Sequence, residues 1–260
     1  MRRTMILLAL IAVVTSTGCR RSRSGTVKIA AAADLARAFE ELGKVYTART
    51  GLRPVFSFGS SGLLAKQLEE GAPHAVYAAA NQSYVDELIA KGVCDGATKR
   101  MYAQGRLVVW SKRVVIERLA DLTRPEVKKI AIANPEHAPY GVAARQALLA
   151  AQAHSADGPP RKIWDAVEPK MVYAENVRQA LQWAQDDEVD AALVARSLAV
   201  VTEGGRTLAV DPALHAPLDQ AAVVCGEGKA AEAGKQFLDL LTSPEGRELM
   251  QRYGFVLPAE

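Results

Sequence analysis

Small or neutral polar residues stand at four points where an apolar run gives way to an amphipathic stretch. These junctions are residues 31–35, 58–63, 134–141 and 174–178. A helix that begins at such a point exposes free backbone N–H groups and carries about half a positive charge at its N-terminus. Because small residues let a ligand come close to those N–H groups, the pattern indicates a binding site for a small anion.

The turn Gly59-Ser60-Ser61-Gly62 is the most informative of the four junctions. In one interpretation Ser61 donates hydrogen bonds to the anion; in another it only caps a helix that begins after a tight turn. A nucleophilic serine is a third interpretation, but the Gly-x-Ser-x-Gly pattern of hydrolases is not matched. No histidine or aspartate partner can be assigned to Ser61 either, so we do not expect an enzyme.

Asp34 and Tyr140 stand at two other junctions. A carboxylate repels an anion, so we expect the Asp34 side chain to cap its own helix and turn away from the ligand, while its backbone N–H faces the ligand. Tyr140 fits either a packing role or a donor role. The four histidines, His74, His137, His154 and His215, show no spacing typical of metal ligands, so no metal site is predicted.

The elements that position these junctions alternate along the chain. Short apolar runs predict strands at residues 27–33, 54–58, 74–80, 106–110, 129–133, 190–195 and 221–225. Amphipathic stretches between them predict helices, and Ser243-Pro244 is typical of the start of a last helix. Alternating strands and helices favour an α/β architecture with largely parallel sheets.

The first 25 residues are typical of an export signal followed by a tether. Arg2 and Arg3 precede the short apolar run 5–14, and small residues lead to Cys19. We therefore predict a signal peptide over residues 1–19 of the bacterial lipoprotein type, with Cys19 as the lipidated residue; ordinary cleavage nearby is the alternative. Residues 20–25 are polar and basic, as a flexible tether would be.

The charge of the remaining chain argues against nucleic acid as a partner. Without the five arginines of the first 25 residues, 27 basic and 29 acidic residues remain, and they form no basic block. Two further cysteines, Cys94 and Cys225, could pair in an oxidising compartment or remain two separate thiols. The sequence leaves both possibilities open.

Seven short motifs in a fixed order resemble the molybdate- and tungstate-binding components of ABC transporters, which have the type II periplasmic binding protein fold. These motifs lie at residues 31–35, 59–62, 71–73, 105–109, 134–141, 175–181 and 252–255. The resemblance covers nearly everything after the tether. It implies two α/β lobes, of residues 26–104 with 217–260 and of residues 105–216, joined by a two-crossing hinge with the ligand cleft between them.

The same resemblance implies the contacts to the oxyanion. Carried over position by position, they are the backbone around Ala33 and Asp34, the hydroxyl and N–H groups of Ser61, the N–H group of Val177 and the hydroxyl group of Tyr140. It also implies a monomer without a cofactor, outside the cytoplasm, that serves a permease in the inner membrane.

This sequence departs from the family pattern at three positions. Many members have serine where this chain has Asp34, and many have a tyrosine donor where this chain has Ala195. The aspartate that is usual in the third strand motif is absent, and this chain has Ala75 there. The alternative ligands are therefore another small anion such as sulfate, phosphate or a carboxylate. Carboxylate sites of this fold class usually hold an arginine in the cleft, whereas Arg37, Arg145 and Arg178 lie inside the predicted helices.

Overall fold

The computed structural model describes residues 25–155 and 158–258. The predicted signal peptide 1–19, with Cys19, lies outside the described residues, as does the predicted tether except for Gly25. Within the described part of the chain, no helix combines the length and the apolar character needed to cross a membrane.

Twelve strands occur in the described chain and form two five-stranded sheets and one small pair. They are β1 (Thr26–Ala32), β2 (Arg53–Gly59), β3 (Val76–Ala79), β4 (Asp95–Gln104), β5 (Leu107–Ser111), β6 (Ile130–Ala133), β7 (Gln152–Ser155), β8 (Gly158–Lys162), β9 (Met171–Ala174), β10 (Ala191–Ala195), β11 (Arg206–Ala209) and β12 (Asp219–Val224). Strands β3, β5, β6 and β10 are buried at every position, as apolar strands covered on both faces are.

Nine α-helices of the described chain connect or flank these strands. They are α1 (Ala36–Thr50), α2 (Ser61–Glu69), α3 (Gln82–Ala90), α4 (Pro139–Ala150), α5 (Ile163–Val167), α6 (Val177–Gln185), α7 (Arg196–Ala199), α8 (Gly228–Thr242) and α9 (Pro244–Arg252). Short 3₁₀ helices span Ala33–Leu35, Leu119–Thr123, Glu168–Lys170 and Pro212–Leu214. The predicted α/β alternation is therefore confirmed.

Both large sheets are mixed, so the prediction of largely parallel sheets was wrong in part. The first sheet has the order β2-β1-β3-β12-β4, and β12 runs antiparallel to β3 and to β4. The second has the order β11-β5-β10-β6-β9, and β5 runs antiparallel to β10 and to β11. Strands β5 and β12 are the strands that directly follow a crossing of the chain from one sheet to the other. Each runs antiparallel to both of its neighbours in the sheet that it joins.

The chain passes between the two sheets twice, between β4 and β5 and between β11 and β12. The N–H group of Gly105 in the first crossing donates to the carbonyl of Leu218 in the second, at 2.9 Å. A Cβ atom on Gly105 would lie 2.2 Å from the hydroxyl oxygen of Tyr140, so only glycine fits there. The crossings therefore run directly beside the junction that contains Tyr140.

Cys94 and Cys225 form a disulfide. Cys94 directly precedes β4 and Cys225 directly follows β12, and these two strands are antiparallel neighbours. The sequence left open whether these two cysteines pair or remain separate thiols, and the structure shows that they pair. The bond also closes a loop that contains the whole second sheet, and long loops are the case in which a cross-link most reduces the entropy of the unfolded chain.

Candidate functional site

The four junctions meet around one small cavity between the two sheets. The residues that line it include all five predicted contacts, Ala33, Asp34, Ser61, Tyr140 and Val177. Its free volume is about 10 Å³, which is room for about one water molecule, so the cavity is nearly closed. The structure brings the five residues together; their contact with a ligand stays a prediction.

The Ser61 junction joins β2 to α2. Ser60 occupies the N-cap position and Ser61 is the first helical residue, and neither side chain caps the helix. The fully buried Ser61 Oγ instead accepts a hydrogen bond from the N–H group of Ala80, at 3.0 Å. Because an oxygen that accepts this bond keeps its own hydrogen, the Ser61 hydroxyl remains a free donor at the cavity.

The Val177 junction joins β9 to α6. The side chain of the N-cap residue Asn176 accepts hydrogen bonds from the N–H groups of Arg178 and Gln179, both at 3.1 Å. The N–H group of Val177 belongs to the first helical residue and therefore has no acceptor within the helix. Val177 lines the cavity, where that N–H group is available to a ligand.

The Asp34 junction differs from the prediction. Asp34 lies in the 3₁₀ helix that follows β1, and no side chain caps this helix, so the prediction that Asp34 caps its own helix was wrong. Its Oδ2 atom accepts hydrogen bonds from Gln220 Nε2, at 2.6 Å, and from Tyr140 Oη, at 3.1 Å. The carboxyl turns inward because these two buried donors, which no local pattern reveals, attract it.

One oxygen of this carboxyl has no partner. Asp34 is only 1% exposed, and Oδ1 makes no hydrogen bond among the described residues. Burial raises the pKa of the Asp34 carboxyl from 3.8 to about 6, while the hydrogen bonds from Gln220 and Tyr140, and the backbone N–H group of Asp34 itself, lower it. Burial also raises the pKa of Tyr140 well above its ordinary value, so Tyr140 keeps its proton at neutral pH.

Several contacts join the two sides of the cavity directly. The N–H group of Gly62 donates to the carbonyl of His137 at 2.9 Å, and Ser60 Oγ lies 2.7 Å from His137 Nδ1. A Cβ atom on Gly62 would lie 2.9 Å from that carbonyl oxygen, so glycine permits the close approach. Ser197 Oγ adds a hydrogen bond of 2.8 Å to the carbonyl of Asp34.

The residues that line the cavity include no lysine, arginine or histidine. The arginines near the junctions have other contacts: Arg37 pairs with Glu40, and Arg145 and Arg178 lie over the rings of Trp164 and Phe58. In the described chain, no cluster of three or more histidine, cysteine, aspartate or glutamate residues could hold a metal ion. A ligand here would meet neutral hydrogen-bond donors and the carboxyl of Asp34.

Four partners at the site were not predicted from the sequence: Gln220, Ser60, His137 and Ser197. Gln220 lies within β12 and is fully buried, yet it is 186 residues from Asp34 along the chain. A polar side chain directly before the apolar run that begins at Ala221 was the one available signal, since buried polar groups need partners. Ser60 and His137 lie within two of the junctions that the sequence indicates, but they were not predicted as partners, and Ser197 of the short helix α7 carried no distinctive pattern.

Comparison with known proteins identifies the family. Residues 27–256 match the family described as bacterial extracellular solute-binding protein. The molybdate-binding protein ModA of Rhodobacter capsulatus is 30% identical over 234 residues, which cover 90% of this chain and 89% of the relative. ModA of Escherichia coli K12 is also 30% identical, with 90% of each chain covered.

The solved structures give the same result for the fold. The periplasmic molybdate-binding protein of Azotobacter vinelandii superposes with a TM-score of 0.80 and 26% identity, covering 90% of this chain and 100% of that one. The fold is therefore that of the type II periplasmic binding proteins, as the sequence resemblance implied. A solute-binding family also supports the prediction that this protein is not an enzyme. The chain belongs to the bacterial extracellular solute-binding proteins.

Proposed function

We propose that this protein is the solute-binding component of an ABC importer for molybdate or tungstate. The observation that carries the proposal is the small cavity at four helix starts, which is lined by neutral donors and by no cationic side chain. Helix starts stabilise a buried anion without a charged partner. The relatives named as molybdate-binding proteins supply the identity of the anion.

The proposed contacts to the oxyanion oxygens are those that line this cavity. Ser61 contributes its hydroxyl group and its backbone N–H group, and Val177 contributes its backbone N–H group. Both N–H groups belong to the first residue of a helix. The backbone at Ala33 and Asp34 completes that side of the cavity, and Tyr140 remains a predicted contact. These groups bind oxygen atoms of the anion, and none of them coordinates the metal.

A small carboxylate fits this site less well than an inorganic oxyanion does. Arginine is the side chain that pairs with a carboxylate through two parallel hydrogen bonds, and none lines the cavity. The two arginines at the neighbouring helices, Arg145 and Arg178, lie over aromatic rings instead. Sulfate and phosphate remain the ligands against which the proposal is tested.

The proposal includes the setting in which the protein works. We propose lobes of residues 26–104 with 217–260 and of residues 105–216 that close on the anion, and a monomer that then docks on the membrane permease. Closure by a hinge is the usual response of this fold to its ligand. We also propose that Cys19 carries a lipid anchor, with residues 20–25 as the tether.

Calorimetric titration with molybdate, tungstate, sulfate and phosphate tests the function. We expect molybdate and tungstate to bind with Kd values below about 10 μM at pH 6, and sulfate and phosphate to bind far more weakly. If another anion binds in that range while neither molybdate nor tungstate does, the proposed function is wrong. Mass spectrometry of the protein purified from membranes tests the lipid on Cys19 separately.

A further inference from the structure

The buried carboxyl of Asp34 is an unusual group to find in a site for an anion. Its Oδ2 atom accepts two hydrogen bonds, whereas its Oδ1 atom is buried without a partner among the residues that the structure describes. Asp34 itself lines the cavity. Buried polar atoms in native proteins nearly always have a partner, so the free oxygen needs an explanation.

An ionised carboxylate and a deprotonated oxyanion cannot satisfy each other. Both groups only accept hydrogen bonds, and both carry negative charge. A protonated carboxyl is different, because its O–H group donates. With Oδ2 already occupied by Gln220 and Tyr140, the position left for a proton is Oδ1.

We infer that the site takes up one proton together with the oxyanion, and that this proton resides on Oδ1 of Asp34, which then donates a hydrogen bond to the ligand. The inference rests on the proposed function. The proton comes from the solvent and returns to it when the ligand leaves, and no covalent bond of the anion changes. Asp34 is thus a residue that sets the pH range of binding.

The surroundings of Asp34 favour this proton. The ionisable groups nearest to it are neutral phenols: Tyr140 donates to Oδ2, and Tyr102 donates to Gln220 Oε1 at 2.9 Å. Burial already raises the pKa of Asp34 to about 6 without a ligand, and a nearby dianion raises it further because it disfavours the carboxylate. The empty site is therefore mostly ionised at pH 7.5, and the occupied site is protonated.

The charged side chains on the packed elements do not contact this carboxyl. Arg37 of α1 pairs with the exposed Glu40, Arg178 of α6 lies over the ring of Phe58, and the exposed Arg196 of α7 packs beside Gly254. From α7 the group that reaches Asp34 is the Ser197 hydroxyl, which binds its carbonyl. No charged side chain of the described chain contributes to the pKa shift of Asp34.

His137 is the other group whose charge could couple binding to pH. It lies on the turn before α4 and contacts Ser60 across the cavity at 2.7 Å. The experiment therefore needs a variant at each position, and both replacements should preserve size and hydrogen bonding.

Titration calorimetry with molybdate in two buffers of different ionisation enthalpy measures the proton directly. For the unaltered protein at pH 7.5 we expect uptake of about one proton per anion, and an affinity that falls about tenfold for each pH unit above about 6. For Asp34→Asn, whose amide replaces the O–H donor, we expect no uptake and no pH dependence. At pH 8 this variant should bind roughly a hundredfold more tightly than the unaltered protein.

The control variant His137→Gln should keep the uptake and the slope. Molybdate binding without proton uptake in the unaltered protein would overturn the inference and leave the proposed function intact, as would uptake that disappears in His137→Gln and persists in Asp34→Asn. If neither molybdate nor tungstate binds at any pH from 6 to 9, both the function and the inference fail. Tight binding of phosphate alone would place the proton on the ligand, since hydrogen phosphate can donate to an ionised Oδ1.

Discussion

The Asp34 and Ser61 junctions occupy equivalent places in the fold, but their side chains differ in when they can donate a hydrogen bond at the cavity. Each follows one of two adjacent parallel strands, β1 and β2, whose last residues, Ala32 and Gly59, are paired in register. Each side chain is buried at the start of a helix beside the same cavity. Ser61 is a donor at every pH, whereas Asp34 is a donor only when it is protonated.

The difference shows that an aspartate in place of a hydroxyl residue makes anion binding by a neutral site depend on pH. Two unit charges about 4 Å apart repel each other by roughly 4 kcal/mol at an effective dielectric constant of 20. A site with hydroxyl groups at both junctions would avoid this cost entirely. Asp34 makes the cost depend on pH, because protonation removes it.

The largest effect we expect is on the stability of the ligand-free protein. The pKa of Asp34 is higher in the folded chain, about 6 against 3.8, so the folded state binds more protons between these values. Stability is therefore lost as pH rises towards 6, by roughly 3 kcal/mol in total. Asp34→Asn should remove this loss, so urea denaturation should show the variant roughly 3 kcal/mol more stable relative to the unaltered protein at pH 7.5 than at pH 3.

The matched control is Asp239→Asn, because Asp239 is exposed on α8. Its effect should stay within about 0.5 kcal/mol at both pH values, as is usual for exposed positions. If Asp34→Asn shows no more pH dependence than this control, the Asp34 carboxyl is not buried as the structure shows, and the two junctions do not differ as described.

The next largest effect that we expect is on the affinity for molybdate, when the Ser61 junction is altered. Ser61→Ala removes a hydroxyl that we propose as a donor to the anion, and a hydrogen bond to a charged group is worth about 1.5–3 kcal/mol. We expect an affinity for molybdate about a hundredfold weaker, by calorimetry, at every pH from 6 to 8. The variant also leaves the N–H group of Ala80 without its acceptor, which should cost about 1 kcal/mol of stability.

Ser60→Ala is the control for this variant. Ser60 precedes Ser61 and contacts His137 across the cavity, so its loss should weaken binding by less than about tenfold. An unchanged affinity in Ser61→Ala would remove the proposed site even if molybdate remained the ligand.

The sequence predicted the interior of both sheets but not most of their edges. The central strands, such as β3 and β10, are apolar throughout and stand out in any window. Strands β4, β9 and β11 lie at sheet edges, where most of their residues are exposed or half-buried, and no prediction covered them. A strand that packs on one side only loses the continuous apolar pattern.

In the candidate site, too, the features that depend on neighbouring residues were predicted, and those that depend on residues far apart in the chain were not. Helix starts are local features, and the residues predicted from them, including Ser61 and Val177, line one cavity. The inward turn of Asp34 depends on Gln220, which the chain brings to it only after both crossings between the sheets. A contact across 186 residues has no local pattern, so the expected cap at Asp34 was wrong.

The smallest expected effect separates two roles for Tyr140. Its hydroxyl donates to Asp34 Oδ2 at 3.1 Å, and this bond lowers the pKa of Asp34. Tyr140→Phe keeps the ring and removes the bond, so the pKa of Asp34 should rise and Asp34 should stay protonated to higher pH. We expect molybdate affinity within about fivefold of the unaltered protein at pH 6, with its decline shifted upward by about one pH unit.

The direction of the change at pH 8 decides between the two roles. If Tyr140 acts through Asp34, the variant binds more tightly than the unaltered protein at pH 8, because less of the carboxyl is ionised. If Tyr140 donates to the anion itself, as the family resemblance implies, the variant binds more weakly at every pH, by about tenfold or more. In the double variant Asp34→Asn with Tyr140→Phe, the first role predicts no gain at pH 8 beyond that of Asp34→Asn alone, since no carboxyl remains for Tyr140 to influence.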